Sequence, residues 1–176
     1  MTLRPEFPIA EAPAVQVALA AEARLRSDPA LDPAGTLGTG EPTYLQWLAA
    51  YEARDLLERH TDLSAPGLAV ILDGYLDQRH GSSGWTEVTT SLEMVLVTHK
   101  AEAESTDDWL RVRIACYVQS VLARDFGVLT YGGQPVTKGL LAFQRTPRPT
   151  LVGDLLFQPL VAIYKTDQRA DTREIL

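Results

Sequence analysis

Residues 87–124 run from a strand pattern through an acidic turn into a capped helix, and no other segment restricts the fold as much. The strand pattern covers residues 88–100, with its apolar centre at Leu92, Met94, Val95, Leu96 and Val97. The turn is Glu102, Ala103, Glu104 and Ser105, and the helix is expected from Thr106 or Asp107 to about Arg124. Ser105 or Thr106 can accept a hydrogen bond from the unpaired N–H groups of a first turn. Ser105 and Asp108 have the spacing of a capping box, and Asp107 and Asp108 suit the positive end of the helix dipole. Leu110, Ile114, Tyr117, Val118, Val121 and Leu122 recur at three- and four-residue steps and so share one face. Trp109, Val112 and Cys116 widen that face and leave only Arg111, Ala115 and Gln119 for solvent. A helix this apolar is expected to be covered by its own sheet and by something else.

The remaining chain supplies the partners. Residues 8–26 predict a helix rich in alanine with Val15, Leu19 and Leu25 inward. A Gly/Pro loop over 28–42 separates it from a second predicted helix over 43–60, capped by Thr43, with Tyr44, Trp47, Leu48, Tyr51 and Leu56 as its stripe. Strands are predicted over 66–75, over 128–131, from Val136 or Lys138 to Gln144, and over 154–165, with a polar loop over 76–86. Pro159 lies inside the last strand and predicts an edge position or a bulge there. Two helices, two strands, one helix and further strands make an α+β domain. It has a mixed or antiparallel sheet of about four to five strands, packed by a central helix, with an N-terminal helical pair. The expected division is residues 1–65 as N-terminal helices with their linker, 66–165 as the α+β core and 166–176 as a charged tail.

Length and charge narrow the function. A chain of 176 residues buries roughly 70% of its unfolded surface, enough for one true core. The net charge is -7, which disfavours sequence-independent nucleic-acid binding. One cysteine, Cys116, rules out an internal disulfide, and its place on an apolar face predicts a buried, inert thiol. Residues 1–9 carry Pro5, Glu6 and Pro8 where a signal peptide needs an apolar run, and no stretch reaches the ~18–20 apolar residues of a membrane span. An aqueous, cytoplasmic setting is expected.

No motif assembles a reaction centre. Gly35-Thr36-Leu37-Gly38-Thr39-Gly40 lacks the Lys and Ser/Thr of a phosphate loop and follows a helix instead of a strand, so it reads as a linker. His60, His80 and His99 form no short-range ligand pair, so neither a metal site nor a cofactor is expected. His60 suits a helix C-terminus, and His99 a strand. Gly132-Gly133-Gln134 coincides with the tripeptide that release factors use on peptidyl-tRNA, but in an acidic chain it reads as a hairpin turn. No nucleophile, base and anion hole converge, and the chain is expected not to be an enzyme.

Leu92-Glu93-Met94-Val95-Leu96-Val97, the turn 101–105, the helix 108–122 with Tyr117 inward, and the strand 155–164 together resemble the tail-terminator and related neck proteins at the head–tail joint of long-tailed bacteriophages. The resemblance covers roughly residues 66–165 and is one of pattern and order. The segment 43–60 and its linker depart from a minimal version of that fold. The resemblance implies a homo-hexameric ring that caps the tail tube, ends its polymerisation and docks the head. It implies a virion location after assembly in the host cytoplasm. The implied partners are copies of the chain, the tail-tube protein and head connector proteins. DNA would be only passing cargo in an acidic lumen, and no membrane is involved. Three polar segments are then candidate contacts with a neighbour or the tube. They are loop 77–84 with Asp77, Gln78, Arg79 and His80, hairpin 131–138 with Gln134 and Lys138, and loop 145–149 with Arg145 and Arg148. A competing expectation is an acidic adaptor that binds one protein partner through its helical hairpin.

Overall fold

The computed structural model describes residues 13–37, 42–72, 75–80, 86–100, 107–144 and 148–166. Helix α1 (Pro13–Arg26) leads through a 3-10 turn (Pro29–Leu31) to strand β1 (Gln46–Leu48), the short helix α2 (Ala53–Glu58), β2 (Gly67–Val70), β3 (Tyr75–His80) and β4 (Thr86–His99). Helix α3 (Asp107–Ala123) follows, then β5 (Thr130–Tyr131), β6 (Gln134–Pro135), β7 (Gly139–Phe143), β8 (Thr150–Val152) and β9 (Leu155–Thr166). This is an α+β fold with a mostly antiparallel sheet and α3 central against it.

The long strands β4 and β9 are its axis, antiparallel from Val88↔Thr166 to His99↔Leu155. On the far side of β4, β2 pairs with residues 94–97 and β3 with residues 86–91. On the far side of β9, β8 pairs with residues 155–157 and β7 with residues 162–165. β1 closes one edge, parallel to β2. The apolar run of β4 follows from this central position, because both of its faces are covered. Leu92, Met94 and Leu96 point with Leu160, Ala162 and Tyr164 toward Val17, Ala21 and Leu25 of α1 and Ile114, Val118, Val121 and Leu122 of α3. Val95 and Val97 point the other way, with Ala69, Ile71 and Phe157, against Leu56 of α2.

Four expectations are corrected. Residues 43–60 do not form one helix. Leu45 is buried in the main core, Gln46 N–H donates to Pro66 O (2.8 Å), and β1 joins the sheet before the chain re-enters a helix at Ala53. That restart has a local cause: the Asp55 carboxylate accepts the N–H of Tyr51 and of Glu52, both at 3.0 Å. The N-terminal helices are therefore α1 and the six-residue α2. Residues 76–80, expected as loop, are strand, because β4 is long enough to pair with β2 and β3 in succession. Pro159 does not mark an edge, since β9 is paired with β4 along its length. It falls where β8 has ended and β7 has not begun, so its missing N–H has no ladder to interrupt on that side.

Cys116 is exposed, as is Val112. The solvent stripe of α3 runs through Val112, Cys116 and Ser120, at i, i+4 and i+8, while Ala115 packs against the core. In the native protein Cys116 should therefore react with a thiol reagent at nearly the rate of the denatured chain. Protection by a factor of ten or more in the monomer would contradict this exposure.

Candidate interaction surface

Among the described residues no group of His, Cys, Asp and Glu can hold a metal ion, and no helix is long and apolar enough to cross a membrane. The polar side chains that do converge lie at the C-terminal end of α3. Asp28 is buried, and its carboxylate accepts hydrogen bonds from Ala30 N–H (3.0 Å), Tyr117 O–H (3.0 Å) and Arg124 Nη1 (2.7 Å). Burial alone would raise its pKa. The three donors outweigh that and hold it below the ordinary carboxylate value. Arg124 also lies over the Tyr117 ring, 5.9 Å from its centroid. From α1, Arg24 donates to Arg124 O (2.9 Å) and Val128 O (2.6 Å) and approaches Asp125 (3.6 Å). Two carbonyls of the turn that follows α3 are thus satisfied by a cation from another helix.

Those contacts hold an unusual turn. Asp125 (φ 53°), Phe126 (φ 57°) and Gly127 (φ 75°) are left-handed in succession, and two of the three carry a Cβ. Thr137 is buried beneath them. Its hydroxyl donates to Gly127 O and accepts from Leu129 N–H, each at 2.8 Å. The turn leaves Phe126 90% exposed, the most exposed large hydrophobic among the described residues. The β5–β6 hairpin lies beside it in sequence, with Gly132 and Gly133 at φ 57° and 80° as the two-residue turn expected of that pair.

A second feature lies at the other sheet edge. Where the parallel strands β1 and β2 end, a cleft of about 500 Å³ opens between α1 and α2. Leu48, Ala49, Ala50, Tyr51, Val70 and Leu72 supply its apolar wall. Glu22 and Arg26 of α1, Asp55 and Glu58 of α2, and Arg59 just past α2 rim it. Arg26 is paired with Glu22 at 2.7 Å and lies 4.6 Å over the Trp47 ring. Arg59 donates to Ala49 O (2.6 Å) and, through Nε, to Asp55 O (3.3 Å).

The structure distributes the candidate contact residues unevenly. Asp77, Gln78, Arg79 and His80 lie on β3, opposite Thr89, Val88, Glu87 and Thr86. Asp77, Thr89, Lys165 and Gly139 form one row across four strands, so the exposed Lys138 lies toward the same end of the sheet as β3, while Gln134 is exposed on β6 of the separate two-stranded sheet. Three strand spacings, roughly 14 Å, separate the ends of that row. Arg148 is exposed just before Thr150, which pairs with Phe157. That is eight residues along β9 from Lys165, or roughly 26 Å. Arg145 lies outside the described residues. Phe126 is not among the contacts expected from sequence. The available signal was an aromatic between Asp125 and Gly127, just past the helix and outside its apolar stripe.

No protein-family model matches the chain, and no curated protein matches it in sequence. Among solved structures it is similar to a chain from the virion of a native gene transfer agent (GTA) particle. The identity is 17%, the TM-score is 0.58, and the match covers 90% of this chain and 99% of that one. At that identity the likeness establishes a shared fold over nearly the whole of both chains. A second solved chain, 14% identical over 88% of this chain and 96% of its own, has a TM-score of 0.44.

Proposed function

We propose that this chain is a structural virion protein of the head–tail joint. Copies of it assemble into a ring that caps the tail tube, ends its polymerisation and receives the head. The observation that carries the proposal is the end-to-end fold likeness to a chain of a phage-like gene transfer agent virion. The pattern resemblance of β4, α3 and β9 to neck proteins points the same way from the sequence. Function then lies in interfaces: head-to-tail contacts that close after a fixed rotation give a ring. A net charge of -7 suits a lumen through which DNA passes, because like charge keeps phosphates from adhering. The adaptor alternative loses its main support, since residues 43–60 form β1 and α2 and supply no helical hairpin.

Light scattering on the purified chain, with and without tail tubes, tests this. A species of about six copies, free or on tubes, is the expected result. Arg145→Glu combined with Arg148→Glu should reduce it without changing the circular dichroism of the monomer. A strict monomer that also fails to bind tubes would overturn the proposal and leave the adaptor to pursue.

A further inference from the structure

Strands β3, β4, β9 and β7 lie side by side, and each neighbouring pair is antiparallel. Tyr75, Ser91, Ile163 and Ala142 form a row beside that of Asp77, Thr89, Lys165 and Gly139, so β3 and β7 stand at the same level of the sheet. Among the described residues these two strands pair on one side only, β3 with β4 and β7 with β9. The edges at β1 and β8 are three residues long, whereas β3 has six residues and β7 five. Shortness is a common protection of a sheet edge, and β3 and β7 lack it.

From this arrangement we infer that β7 of one copy pairs antiparallel with β3 of the next, so that β3-β4-β9-β7 repeats as one continuous sheet around the ring. The contact deepens the proposed function and rests on it.

Strand direction, edge chemistry and the placement of the helices carry it. Four alternating strands leave β3 and β7 running in opposite directions. Rotation about an axis along the strands preserves each direction, so a second copy brings its β7 antiparallel to the first copy's β3. β7 reads Gly139-Leu140-Leu141-Ala142-Phe143, without a charged residue. The Phe126 turn packs against Gly139 and Leu140, and beyond it Leu141 is 55% exposed and Ala142 is exposed. A bulge can blunt an edge, but the residue this one turns out is leucine, where a blunted edge carries charge. Gln144 N–H donates to Val161 O (2.9 Å), so by alternation the N–H and C=O of Phe143 point away from β9. Such groups are met by another extended backbone. A foreign strand would occupy one edge, whereas a copy of this chain supplies both. The helices suit the closure. α1 and α3 cover one face of the sheet, and α2 packs on the other at Val95, Val97 and Phe157. Further along that second face come Thr89, Ser91 and Glu93, opposite Lys165, Ile163 and Val161, all half-buried. A ring built from this sheet has room for α1 and α3 at its larger, outer radius, which turns the second face to the lumen.

The test uses the full chain. Leu141→Lys should raise the dissociation constant of self-association about tenfold or more, while the thermal midpoint of the monomer stays within about 2 °C. Amide hydrogen exchange reads the edges directly. On assembly the outward amides of β3 and β7, Phe143 among them, should slow by about tenfold or more, while those of β1 and β8 stay unchanged. In a Cys116→Ser background, Asp77→Cys combined with Leu141→Cys should give a ladder of multimers with a thiol cross-linker that spans roughly 10 Å, a reach that covers a two-residue slip in register. Each cysteine alone should stop at dimers. Assembly that survives Leu141→Lys unchanged, or that leaves the β3 and β7 amides exchanging as in the monomer, overturns the pairing and leaves the proposed function standing. A chain that stays monomeric with and without tail tubes overturns both.

Discussion

Replacing Asp28 with alanine should destabilise the monomer by about 3 kcal/mol, roughly 6–12 °C in thermal midpoint for a chain of this length. The carboxylate is buried and joins three parts of the fold: the end of α1, the middle of α3 through Tyr117, and the end of α3 through Arg124. Its removal strands Ala30 N–H and the Tyr117 hydroxyl with no acceptor. Arg124 loses less, because its side chain is 52% exposed and returns to water. Arg124→Ala should accordingly cost only about 1 kcal/mol. The acid limb gives a second, independent readout. The folded pKa of Asp28 lies below the ordinary value of 3.8, so its contribution is present above that unfolded value and is lost as pH falls through the folded one. Asp28→Asn should lower stability near neutrality and flatten the decline below pH 4. An unchanged acid limb would mean that other carboxylates govern acid unfolding. Midpoints measured from pH 2 to 7 for wild type and Asp28→Asn decide this.

The same network shows where the sequence was legible and where it was not. The segment from β4 to α3 was readable because two periodicities succeed each other there, and both survive in the fold: Leu92, Met94 and Leu96 on one sheet face, Ile114, Val118, Val121 and Leu122 on the helix that covers it. Tyr44, Trp47, Leu48 and Tyr51 carry helical spacing as convincingly, yet pairing with β2 overrides it. The polar run Asp77-Gln78-Arg79-His80 gave no strand signal, and only the length of β4 draws it into the sheet. Cys116 was misplaced because a helix covered on one broad face still needs a solvent stripe, and composition alone could not say which residues form it. The candidate contacts lie in segments that read as polar loops, a character of surfaces in general. An exposed aromatic held by backbone geometry leaves no such trace, since left-handed φ at Asp125 and Phe126 depends on Arg24, a hundred residues earlier.

Gly127 offers the means to separate that geometry from ordinary packing. Alanine there should cost about 3–4 kcal/mol, for two reasons that add. At φ 75° a Cβ incurs the left-handed penalty, about 1 kcal/mol. The added Cβ would also stand against Leu140 Cβ and 2.5 Å from the Leu140 backbone nitrogen, and a strand backbone cannot rotate aside as a side chain would. Gly132→Ala is the matched control. Its φ is also positive, 57°, but nothing lies within 4 Å of the new Cβ, so only the conformational part, about 1 kcal/mol, should appear. The difference between the two variants measures how tightly the Phe126 turn is pressed onto β7. Equal losses in denaturant unfolding would mean that the turn can lift off the sheet at little cost, and a turn that lifts freely cannot hold Phe126 in one exposed position. A large difference would mean that the aromatic is held in place by packing deep enough to survive in the isolated chain.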